Sequence, residues 1–170
     1  MDAISALLPL SDWISIIQTA AIVITGIAAV ATLRTNSKLS RHRATIELLL
    51  AQRTDERLFE AKQAMSDLHR NPDISITALA CKGMESDANR QHVLTVLNNY
   101  EFIAVGIREK ALDEYVYKRA QFSTVLRDWK ATKAFIIELR NQNNIPTLFQ
   151  EFEYLYNKWV ASPLKKDNPH

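Results

Sequence analysis

The chain has 170 residues, 47% of them hydrophobic and 24% charged, which fits one folded domain and excludes a disordered or collagen-like chain. With 3 Gly and 5 Pro it has too few turn-formers for a strand-rich fold and no Gly-rich phosphate loop of the usual kind. A single cysteine, Cys81, and four scattered histidines exclude a disulfide framework and offer no zinc cluster, and a net charge of +2 is too small by itself to indicate nucleic acid.

The charges are unevenly placed. All 21 Lys and Arg side chains follow Leu33, together with 17 of the 19 acidic ones; only Asp2 and Asp12 come earlier. Residues 13–33 read WISIIQTAAIVITGIAAVATL and carry no charge. As a helix this stretch is roughly 30 Å long, the thickness of a bilayer's hydrocarbon core. A transmembrane helix is therefore expected over 12–33, with Trp13 at one interface and Arg34 at the other. A cleaved signal peptide fits less well, because basic residues follow the run and none precedes it. A buried core helix is the other alternative. Arg34, Lys38, Arg41 and Arg43 place the basic side in the cytoplasm by the positive-inside rule. The expectation is a single-pass protein of the inner membrane with its N-terminus outside, a cytoplasmic domain over 34–162 and a flexible tail over 163–170. Six small residues, among them Gly26 and Ala29, and the hydroxyls of Thr19, Thr25 and Thr32 suit helix–helix packing in lipid. The Gln18 amide also needs a partner there. Gln18, Gly26 and Ala29 are thus candidate packing residues of a homo-oligomer.

The remainder reads as helices. Over 40–68, Ile46, Leu50, Ala61, Met65 and Leu68 fall near one stripe. Arg53 and Arg57 lie beside it, either paired with Asp55, Glu56 or Glu60 or forming a basic strip toward an anionic ligand or an oligomer axis. Asn71-Pro72-Asp73 breaks this helix, and Lys82-Gly83 stops a short one around 74–81. Asp87 with Ser86 caps the next, where Val93, Val96, Leu97, Tyr100, Ile103, Ala104 and Ile107 recur at helical spacing. Glu101 stands among these apolar residues and must be paired or exposed; Asn98 and Arg140 are its candidate partners in a polar network. Asp113-Glu114 opens a fourth helix, carrying Phe122, Val125, Leu126, Trp129, Ile136 and Leu139. Pro146 is expected to start the last, with Phe149, Phe152, Leu155, Tyr156 and Trp159 as an aromatic stripe. The fold expected is all-α: one N-terminal transmembrane helix followed by an antiparallel helical bundle.

Residues 97–107 read LNNYEFIAVGI, with Leu112-Asp113-Glu114 following. This resembles a family of uncharacterised bacterial and phage proteins with one N-terminal span and a helical cytoplasmic domain, whose shared pattern is approximately LNYFExIAVGI, a short gap and DE. The resemblance covers that motif, the span and, more weakly, Trp129 and the C-terminal aromatics. Tyr100-Glu101 lacks the Phe of the commoner version, and residues 108–111 replace a Gly-containing turn. The resemblance implies architecture and no activity. A looser similarity to HEPN-type ribonucleases begins at Arg140-Asn141, but Asn144, Ile145, Pro146 and Thr147 stand where the proton-transferring His is expected.

The function expected is a membrane-anchored helical interaction or assembly module, an oligomeric effector acting at the membrane in phage–host conflict. The alternatives are a degenerate HEPN-like RNA- or nucleotide-binding domain or ribonuclease, and a passive tether or scaffold. No catalytic residue, metal or cofactor is expected. The expected partners are the lipid bilayer and further copies of the chain, with nothing in the sequence to support nucleic acid.

Overall fold

The computed structural model describes residues 10–71 and 75–164. Among these, five α-helices and one 3-10 turn form: α1 (Leu10–Thr54), α2 (Glu56–Arg70), the 3-10 turn (Ile76–Ala80), α3 (Ala88–Arg108), α4 (Glu114–Asn143) and α5 (Gln150–Ala161). The described residues contain no strand. Ile74, where the short helix is expected to start, and most of the expected tail lie outside the described residues. The chain divides into two compact units, residues 1–40 and 41–170.

In the first unit the described residues are all helical, and every side chain from 13 to 40 is exposed. Ile17, Ile22, Ile24, Ile27 and Leu33 each leave about two-thirds of their surface uncovered. Among the described residues this is the one helix long and apolar enough to cross a membrane, by length and composition. The Thr19, Thr25, Thr32 and Thr35 hydroxyls donate to the carbonyls of Ser15, Ala21, Ala28 and Ala31, four residues back, at 2.8–2.9 Å. The hydroxyls offered by the sequence for bonds between helices are therefore already used within their own helix.

The second unit has its own core. The single helix expected over 40–68 is broken: Asp55 takes an extended conformation and its carboxylate accepts the Leu58 N–H, ending α1 and capping α2. The break resets the helical phase. Leu58, Ala61, Met65 and Leu68 are buried as the spacing predicts, but Ile46 and Leu50 are 50% and 57% exposed, and α1 instead buries Thr45 and Gln52. The α3 stripe is buried throughout, from Val93 to Ile107. Asp87 and Asp113 cap α3 and α4 by accepting the N–H groups of Arg90 and Val116. Arg90, itself buried, donates to the carbonyls of Leu79, Ala80 and Cys81 and so closes the end of the 3-10 turn.

The α4 and α5 aromatics meet at the centre. Phe152 stacks on Tyr100 at 4.7 Å and forms a T-shaped pair with Trp129 at 5.0 Å, while Trp159 packs against Tyr117 and Phe122. The last helix begins at Gln150, four residues later than Pro146 suggests. The intervening turn places Phe149 in the core in a left-handed conformation, φ 57°, where its backbone cannot continue as a right-handed helix. Between α3 and α4 the chain folds back on Gly106, whose carbonyl accepts the N–H groups of both Ala111 and Leu112. A Cβ at Gly106 would lie 2.7 Å from Leu112 Cδ1, so any larger residue here requires the Leu112 side chain to shift.

Candidate functional site

Glu101 is half-buried on α3 and points at the start of α5. Its two carboxylate oxygens accept the backbone N–H groups of Glu151 at 3.2 Å and Phe152 at 2.8 Å. Phe149, at the cap position of α5, makes no side-chain capping bond, so Glu101 supplies from another helix what the local sequence lacks. The hydrogen bonds expected from Asn98 and Arg140 are replaced by these, and Arg140 acts on Glu101 through its charge. Burial raises the Glu101 carboxyl above its usual range; the two N–H donors and the Arg140 charge pull it down again, and the Glu151 charge adds to the rise.

Arg140 enters the same network one step removed. Its Nε donates to the Leu148 carbonyl at 2.8 Å and its Nη1 to Glu153 at 2.7 Å, tying the end of α4 to the first turn of α5. Arg108, at the end of α3, places Nη1 2.7 Å from both Glu151 oxygens and its guanidinium 5.0 Å from the Tyr154 ring centre. Three carboxylates and two arginines thus hold α3, α4 and α5 together, and each carboxylate already accepts a hydrogen bond. The arrangement orients helices; it offers no free base or nucleophile.

Asn98 is exposed and lies elsewhere, in a shallow cleft of about 280 Å³ that it shares with Arg57, Asp55 and Thr95. Its neighbour Asn99 is the one in contact with α1, accepting from Gln52 at 3.0 Å. The structure therefore places Arg57 and Asn98 along one cleft, leaves Arg53 exposed on α1, and joins Glu101 to the α5 backbone. Gln18, Gly26 and Ala29 are all exposed on the apolar helix, and a Cβ at Gly26 would meet nothing within 4 Å.

A second polar cluster is not anticipated by the sequence reading. Asp128 is 5% exposed and accepts the Tyr100 hydroxyl at 2.7 Å and Arg127 Nε at 2.9 Å. Burial and the Asp128 charge push the Tyr100 hydroxyl well above its ordinary range, and burial lowers the Lys62 ammonium, partly offset by Asp128 and Asp55. The available signal was a carboxylate at helical spacing inside the Val125, Trp129, Thr132 stripe. Among the described residues, no group of three or more His, Cys, Asp or Glu converges to hold a metal ion.

A family model described as a domain of unknown function (DUF4760) matches residues 19–159. This range takes in Gly26 and Ala29 as well as the Glu101 and Asp128 networks. No curated protein and no solved structure matches the chain.

Proposed function

We propose a role for a chain that belongs to the DUF4760 family, a domain of unknown function: a membrane-anchored helical module that self-associates and presents its 41–170 unit to partners on the cytoplasmic side. The observation that carries this reading is the uncovered apolar helix. Leaving Ile, Val and Leu side chains of residues 14–33 in water costs about 1.5–3 kcal/mol each relative to burial, and no protein side chain covers them. A hydrocarbon core removes that cost. The internal Thr–carbonyl bonds lower the penalty of inserting the hydroxyls. Among the described residues the exposed Gln18 amide meets no side-chain hydrogen-bond partner, and a second copy's Gln18 supplies one. The basic residues after Leu33 orient the span with its N-terminus out. The HEPN-like alternative has no such support, because Arg140 is bound to Leu148 and Glu153.

Two measurements on the full-length protein test this. After carbonate washing it stays with the membrane, and protease digests the helical unit in inside-out vesicles but not in spheroplasts. In mild detergent it runs as an oligomer that Gly26→Leu with Ala29→Leu reduces in size. Release by carbonate, the reverse protection pattern, or a wild-type monomer overturns the corresponding part.

A further inference from the structure

We propose that the cleft beside the α3–α4 turn binds an anionic phosphate group, as the headgroup of an acidic phospholipid. The cleft has a volume of about 420 Å³, and its lining includes Arg41, Lys110, Leu112, Asp113, Glu114 and Lys118. Thr45 holds it together: its buried hydroxyl donates to the Arg41 carbonyl at 2.8 Å and accepts the Asp113 N–H at 2.7 Å. The α1 backbone at Arg41 and the start of α4 are thereby joined at one atom.

Both carboxylates in the lining are already occupied. Asp113 accepts the Val116 N–H and lies 3.1 Å from His42 Nδ1. Glu114 binds Lys158 Nζ at 2.6 Å and Trp159 Nε1 at 3.1 Å. The Lys118 ammonium is held by the Ser162 carbonyl and hydroxyl and lies above the Phe122 and Trp159 rings. Its charge remains in the lining. Arg41 and Lys110 are different. Among the described residues neither side chain meets a hydrogen-bond or ion-pair partner, and Arg41 Nε is buried with no acceptor. A buried donor on a charged group left without an acceptor is costly, and native structures rarely leave one so. A group that offers several anionic oxygens meets a guanidinium and an ammonium together, which is the chemistry of phosphate.

Position selects the lipid as the source, and this step rests on the membrane-spanning reading above. Arg41 lies eight positions after Leu33, and even fully extended that stretch reaches no more than about 28 Å. Arg34 and Lys38 lie on that connection and favour the anionic surface. The cleft is therefore tethered close to the headgroup layer.

Lys110 also provides a clean variant. Its φ of 58° is one that glycine adopts without cost, so Lys110→Gly removes the charge and does not strain the turn. The test uses the full-length protein in neutral detergent, as wild type, as Arg41→Gln/Lys110→Gly, and as Lys130→Gln/Lys133→Gln, an equal charge loss on exposed α4 residues. Retention of phosphatidylglycerol against phosphatidylcholine is read by native mass spectrometry, and protection by inorganic phosphate by thermal melting. The wild type and the α4 variant should retain phosphatidylglycerol about tenfold more strongly than phosphatidylcholine. The cleft variant should lose that preference while melting no lower than wild type in phosphatidylcholine. Equal protection by inorganic phosphate, lost in the cleft variant, supports the phosphate chemistry and overturns the lipid source. A preference unchanged in the cleft variant, or neither lipid preference nor phosphate protection in the wild type, overturns the site. Carbonate release of the protein would sink the membrane reading alone, and the inorganic-phosphate arm then still decides the cleft.

Discussion

Glu101 shows how a charged residue can sit inside an apolar pattern. Its carboxylate replaces water with two backbone N–H donors at a helix start, where the peptide dipoles also favour negative charge. Desolvation is nevertheless the larger effect, and the folded-state pKa lies above the ordinary 4.5. A carboxyl raised in this way binds its proton more readily in the folded state than in the unfolded one. Its contribution favours folding below about pH 4.5 and is lost as pH rises through the folded value. Glu101→Gln removes that dependence, so the stability of wild type relative to Glu101→Gln should fall between pH 4 and pH 7 in denaturant titrations. A difference that stays flat with pH contradicts the assignment. Glu101→Ala leaves the Glu151 and Phe152 N–H groups without their acceptor and should cost about 1–3 kcal/mol.

The elements are set as much by their ends as by their stripes. Asp55 converts one expected helix into two by spending its carboxylate on the Leu58 N–H. Phe149 delays α5 because its ring is needed in the core. At the α3–α4 connection Leu112 folds over Gly106 so closely that an added Cβ would displace its side chain. Gly106→Ala should therefore destabilise the protein by about 1–3 kcal/mol, an overpacking cost. Leu112→Ala added to it should recover part of that loss, because the clashing atoms are gone. Additive losses in the double variant, measured by chemical denaturation, would show that the contact is not the cause.

At the scale of the whole molecule the two units have different physical requirements. None of the described side chains from 13 to 40 is buried, whereas the second unit has a core of its own. Among the described residues that core, with Tyr100, Trp129, Phe152 and Trp159 at its centre, is drawn from residues after Arg41. A fragment of residues 41–170 should accordingly be soluble, helical by circular dichroism and cooperative in a single thermal transition. A fragment that aggregates, or melts without a transition, would mean that the apolar helix is required for folding.

Some features of this protein follow from local sequence alone. The apolar run, the buried face of α3 and the caps at Asp87 and Asp113 are read from neighbours within one or two turns, where the 3.6-residue period and side-chain-to-backbone bonds act. The all-helical class follows in the same way. The tertiary structure decided the rest. Glu101 meets N–H groups 50 and 51 residues away, Thr45 meets Asp113 across 68, and Gln52 meets Asn99 across 47. Periodicity carries no information over such separations. It predicts that Ile46 and Leu50 share a buried face with Met65, and a single carboxylate at Asp55 ends that register. A helix transmits its phase only while its backbone bonds continue, so what lies beyond a break is set by packing.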